Sequence, residues 1–129
     1  MAKFVSDLFI TLRKDSDTIY VLGAPLLYKS DALGLIEIPT EFQTDFASVP
    51  RIPIIYAAWG DKAHREAVLH DYLYRTDSEP VVSFMQANGE FLDAMKSRSK
   101  PWRVRYPMYW GVCAGGYFSY HKHKVFDVL

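Results

Sequence analysis

The stretch Ala63-His64-Arg65-Glu66-Ala67-Val68-Leu69-His70-Asp71-Tyr72-Leu73-Tyr74-Arg75 sets a titratable His-Asp pair in the middle of an apolar helical run. At 100° per residue, Ala63, Ala67, His70 and Tyr74 fall on one face, Leu69 and Leu73 cover one flank, and Val68 and Tyr72 most of the remainder. A helix apolar nearly all round is a buried one. An unpaired imidazole inside a protein costs roughly 1–3 kcal/mol, so His70 needs a hydrogen-bond partner, and the alanines beside it leave room for the element that supplies one.

Asp71 is not that partner, because neighbouring residues on a helix point about 100° apart. The two side chains therefore serve different clients. A second helical pattern lies within Glu79 to Met95, where Phe84, Phe91, Leu92 and Met95 form a stripe with Asn88 at its centre. Two helices that each bury one polar group are most economically explained if the groups meet, which predicts Asn88 against His70 on antiparallel helices joined through Thr76-Asp77-Ser78. The residues alone leave alternatives open. His70 reads either as a general base or as a core histidine satisfied by a carbonyl or a tyrosine hydroxyl. Asp71 reads either as a site residue or as an ordinary carboxylate, exposed or paired with an arginine, for which Arg51, Arg75 and Arg103 are candidates. Asn88 becomes a surface residue if the second helix is rotated.

The 129 residues are read as a single domain, 1–129, large enough to bury a core without staples. With 15 basic and 15 acidic side chains there is no excess of positive charge to follow a nucleic-acid backbone, and no nucleic-acid partner is expected. Met1-Ala2-Lys3-Phe4-Val5-Ser6-Asp7 meets acid too early for a secretory h-region, and no run of about 18 apolar residues predicts a transmembrane segment. The single cysteine, Cys113, excludes an internal disulfide and fits a reducing cytoplasm; its glycine-rich, apolar flanks predict a buried thiol rather than a nucleophile.

Along the chain, the first third alternates as strands do, over Phe4 to Arg13, Thr18 to Leu22, Leu26 to Lys29 and Leu35 to Ile38. These predict an antiparallel meander. Pro39, Pro50 and Pro53 then interrupt, and helix signals run from about Lys62 to Met95. The class is α+β, a small N-terminal sheet packed on a helical half. Val104 to Ser119, rich in aromatic and small residues, predicts a third helix broken near its glycines. His121-Lys122-His123-Lys124 reads as a solvated extended end, with a metal site as the alternative.

Between the halves, Glu41-Phe42-Gln43-Thr44-Asp45-Phe46-Ala47-Ser48-Val49-Pro50-Arg51 mixes polar, aromatic and small residues in a loop, where scaffolds commonly carry sites. Asp45 could join Asp71 around a hard cation such as calcium. Equally, Asp45 or Ser48 could cap a turn of helix begun by Pro50, and Ser48 is the better cap.

Thr44-Asp45-Phe46-Ala47-Ser48-Val49-Pro50-Arg51, Ala67-Val68-Leu69-His70-Asp71-Tyr72-Leu73-Tyr74-Arg75, and then Phe91, Ala94 and Met95 resemble the family called domain of unknown function 1353, widespread in bacteriophage and prophage genomes. The resemblance runs from about Phe4 to Gly116. It implies a phage protein made in the host cytoplasm, a virion (tail or baseplate) or assembly component whose partners are other phage proteins. It implies no particular chemistry.

A second resemblance supplies one. Asp-x-x-Ser-x-Pro, then His-Asp-x-x-Tyr on a buried helix, then a facing helix, is similar to the small calcium-dependent secreted phospholipases. That resemblance implies His70 as the base that activates water, Asp71 as calcium ligand, Tyr74 as a supporting donor, and Asn88 in the position that orients the imidazole. The chain departs from the pattern. Asn88 replaces an acid, no glycine-rich calcium loop precedes the helix, and the disulfides are missing. Two functions are therefore expected to compete. One is a non-catalytic or weakly catalytic phage component; the other is a small phospholipase- or esterase-like hydrolase acting on a lipid or cell-envelope substrate.

Overall fold

A computed structural model describes residues 2–16, 19–44, 64–115 and 120–129. Among the described residues the alternating first third forms six short strands: β1 (Lys3–Phe4), β2 (Ile10–Leu12), β3 (Tyr20–Leu22), β4 (Leu26–Ser30), β5 (Gly34–Ile38) and β6 (Gln43–Thr44). All pairings are antiparallel, but the strands divide into two sheets, ordered β1-β4-β5 and β2-β3-β6, rather than forming one meander. The run Phe4 to Arg13 is where they part. Ser6 Oγ accepts from the Leu27 N–H at 2.9 Å, ending the β1 ladder, and the chain crosses to pair Ile10–Leu12 with Tyr20–Leu22.

The β4-β5 hairpin shows how sequence period becomes a core face. Leu26, Tyr28, Ser30, Ile36 and Ile38 point inward, with Leu26 opposite Ile38 and Tyr28 opposite Ile36, while Lys29 and Leu35 face out. At the turn the Ser30 hydroxyl accepts from Ala32 and Leu33 N–H, and Gly34 takes φ 78°, a left-handed conformation that glycine adopts without steric cost.

Among the described residues, three helices lie in the second half: α1 (His64–Leu73), α2 (Phe84–Ser97) and α3 (Trp102–Gly115). The fold is α+β, with N-terminal strands and C-terminal helices. From Glu66 to Arg75 every residue of the α1 stretch is buried, as its all-round apolar character requires. The start of α2 is set by a capping box: Ser83 Oγ accepts from the Gln86 N–H at 3.1 Å, and Gln86 Oε1 accepts from the Ser83 N–H at 2.8 Å. That start fixes the phase in which Ala87, Asn88, Phe91, Ala94 and Met95 face inward. The helices are antiparallel. As α1 advances from Glu66 to His70 and on to Tyr74, its partners on α2 retreat from Arg98 to Asn88 to Phe84.

Helix α3 ends at Gly115, within the expected span, and packs Met108 and Val112 into the core. Cys113 is half-buried, not sealed, because it lies off that inner edge. The final residues are not an extended end. His121 N–H donates to Tyr74 O at 2.8 Å, Thr76 N–H to His123 O at 3.0 Å and Val125 N–H to Asp77 Oδ1 at 2.7 Å, which straps turns across the end of α1. His123 faces Asp127 at 3.5 Å. Among the described residues no helix is long and apolar enough to cross a membrane.

Candidate functional site

The polar unit at the centre of the helical half is built from one helical turn of α1 and one residue of α2. His70 Nε2 lies 2.7 Å from Asn88 Oδ1, and the Tyr74 hydroxyl donates to the same oxygen at 2.6 Å. An amide oxygen only accepts, so the Nε2 of His70 carries the proton. The ring is held between Tyr74, 4.0 Å between centroids, and Phe91, at 5.0 Å. It is 0% exposed. Burial lowers its pKa from 6.5 to about 4, with the bond to Asn88 opposing in part. Among the described residues, His70 Nδ1 and Asn88 Nδ2 are buried without hydrogen-bond partners.

Asp71 points a different way, as its position one residue along the helix demands. Its Oδ2 accepts the Thr44 hydroxyl, which joins α1 to the end of β6. One turn on, Arg75 donates to Gln43 O at 3.0 Å and lies over the Phe42 ring at 4.9 Å, so the β6 region is gripped twice from the same side of α1. Asp45, with Ser48, Pro50 and Arg51, lies outside the described residues. Among the described residues no group of three or more His, Cys, Asp or Glu side chains could hold a metal ion. The expected pairing of Asp71 with Asp45 around calcium therefore falls outside the described residues.

Two buried acids escaped the sequence reading. Glu66, at 0% exposure, has no hydrogen bond to either carboxylate oxygen among the described residues and lies 3.6 Å from Arg98 Nη1; burial raises its pKa, against the pull of its own backbone and then of Arg98. Glu90 accepts the Ser30 hydroxyl at 2.7 Å through Oε1, leaves Oε2 unpaired, and is likewise raised by burial. A glutamate in a first helical turn reads as a favourable partner for the helix dipole, which hides its burial. The signal was its place one residue before Ala67 in a helix already read as buried all round.

With fold and geometry in hand, the class is an α+β protein organised around a buried His-Asn-Tyr unit. The profile of the family described as protein of unknown function, DUF1353, matches residues 20–112, and the chain belongs to that family. No curated protein and no solved structure matches it.

Proposed function

We propose that this chain is a phage or prophage protein, a component of the virion (tail or baseplate) or of its assembly, in which His70, Asn88 and Tyr74 lock two helices together and perform little or no chemistry. One observation carries the non-catalytic part: the imidazole has no exposed surface. A general base must come within about 2.6–3.2 Å of the proton it takes, and a ring enclosed by Tyr74, Phe91 and Asn88 offers a substrate no approach. The phage setting is supported by what the resemblance of the Thr44–Arg51 and Ala67–Arg75 stretches implies. Partners are then other phage proteins, and the protein is made in the host cytoplasm before joining the particle. Quantitative mass spectrometry of purified particles and assembly intermediates tests this. Detection at a fixed copy number supports it, and absence from both overturns it.

A second reading, a small phospholipase- or esterase-like hydrolase, is favoured by a different observation. His70 Nδ1 has no partner among the described residues, while Nε2 is anchored from behind. That arrangement leaves one lone pair free to take a proton from water, with Asn88 and Tyr74 as positioning residues. In this reading Asp71 and Asp45 would hold calcium, which would polarise the substrate. Turnover of a phospholipid or other ester, with and without calcium, separates the readings. Activity lost by orders of magnitude in His70→Gln with the fold intact displaces the non-catalytic reading, and none above that variant removes the hydrolase.

A further inference from the structure

Helix α3 is apolar on two opposite sides, and only one of them is used by the fold. Met108 and Val112 are fully buried against the core. On the far side Trp102 and Trp110 are 68% and 63% exposed, and Tyr106, between them at the i+4 spacing, stands 6.0 Å from the Trp110 ring. Large exposed aromatics aligned on one helix face mark an interaction surface rather than scattered surface residues.

The sequence that carries that stripe is one-sided in charge. No acidic residue occurs between Asp93 and Asp127, although the chain as a whole is neutral. Helix α3 itself carries two cations, Arg103 and Arg105, and no acid, whereas Lys96 lies beside Asp31 and Asp93 and Arg98 is 3.6 Å from Glu66, away from the stripe. Arg103 is exposed beside the stripe, about 20° from Trp110 around the helix. Arg105 donates to Lys100 O at 3.0 Å and sets its guanidinium 5.6 Å from the Tyr106 ring, so a cation is held against the aromatic face.

Tryptophan and tyrosine settle at the headgroup level of a bilayer, where the ring is apolar and its N–H or O–H stays wet, while cations draw such a face to anionic lipid. A protein partner would fit the aromatics equally well, but the unbroken absence of acid favours a surface that is itself continuously negative. We infer that the Trp102-Tyr106-Trp110 face of α3 docks in plane on an anionic lipid surface. The helix lies on the membrane and does not span it. This inference is independent of whether His70 is catalytic.

Co-sedimentation of the full chain with phosphatidylglycerol vesicles and with phosphatidylcholine vesicles tests it. The protein should pellet with the anionic vesicles and be released by 1 M salt, where the Debye length is about 3 Å. Trp102→Ser with Trp110→Ser should weaken partition by about tenfold or more and remove quenching of tryptophan fluorescence by brominated lipid. Arg103→Gln, at an exposed position that the fold does not use, should weaken it about fivefold, the equivalent of roughly 1 kcal/mol for one cation at an anionic surface. Failure to pellet, equal pelleting with both vesicle types, or variants that bind as the native protein does would overturn the inference. Self-association that the two tryptophan substitutions abolish would overturn it too, by making a second copy the occupant.

Discussion

A single oxygen, Oδ1 of Asn88, receives His70 Nε2 at 2.7 Å and the Tyr74 hydroxyl at 2.6 Å. Two residues one turn apart, His70 on α1 and Tyr74 just past its end, are thereby tied to one point on α2, beside Phe91 and with His70 and Asn88 fully buried. In that setting a bond is worth less for what it adds than for what its loss leaves stranded.

Asn88→Leu should accordingly destabilise the protein by roughly 1–3 kcal/mol, because it leaves the Nε2–H and the tyrosine hydroxyl without an acceptor in a site closed to water. Asn88→Asp keeps the acceptor and adds a negative charge that favours the imidazolium. Urea midpoints at neutral pH check both. An Asn88→Leu midpoint equal to that of the native chain would show that the bond is incidental.

The His70–Asn88 contact was legible in the sequence because each residue is an anomaly in an apolar stripe, and two anomalies on facing helices have few other ways to be satisfied. The client of Asp71 was not legible. Thr44 closes a strand of only two residues, Gln43–Thr44, too short to show any period. The division of the strands into two sheets escaped for a related reason: alternation tells which side chains point inward but not which neighbour a strand chooses. Tyr74 as a supporting donor came from the phospholipase resemblance, and the geometry brings its hydroxyl to Asn88 Oδ1 without bearing on the activity.

Acid stability should report the buried imidazole. Its folded pKa is about 4 against an ordinary 6.5, so the unfolded chain binds the proton more readily. The His70 contribution to stability is therefore full above pH 6.5, falls as pH drops from 6.5 to about 4, and levels off below that, a loss on the order of 3 kcal/mol. His70→Gln should flatten this part of the profile. Urea denaturation as a function of pH measures it, and identical slopes for the two proteins between pH 6 and 4 would contradict it.

Glu66 should act with the opposite sign. Burial raises its pKa, so the folded chain holds the proton more tightly than the unfolded one. The resulting stability is present below the ordinary carboxylate range and is lost as pH rises through the raised value. Glu66→Gln removes the ionisation and should raise the midpoint more at pH 8 than at pH 4, even though it gives up the 3.6 Å approach of Arg98. A variant less stable at pH 8 would show that the ion pair outweighs desolvation.

Thr44→Val deletes the hydroxyl that Asp71 accepts and keeps the shape. The expected cost is about 1.5–3 kcal/mol, the range for a hydrogen bond to a charged group. Amide exchange locates the effect. Faster exchange at Tyr20 and Val21, which pair with Thr44 and Gln43, would place the damage at the β3-β6 edge, whereas a uniform change would not.

Whether the His-Asn-Tyr unit behaves as a unit is decided by a double-mutant cycle. Tyr74→Phe removes only the hydroxyl that meets Asn88 Oδ1, so in the native background it should cost about 1 kcal/mol. With Asn88→Leu already in place that hydroxyl has lost its acceptor, and the same substitution should cost close to nothing or stabilise, giving a coupling energy of about 0.5–3 kcal/mol. His70→Gln as the third corner asks whether the imidazole shares in that coupling through the common oxygen. Additive costs across all three pairs would mean that the contacts at Asn88 are independent, and that the helices are held by the apolar shell around them.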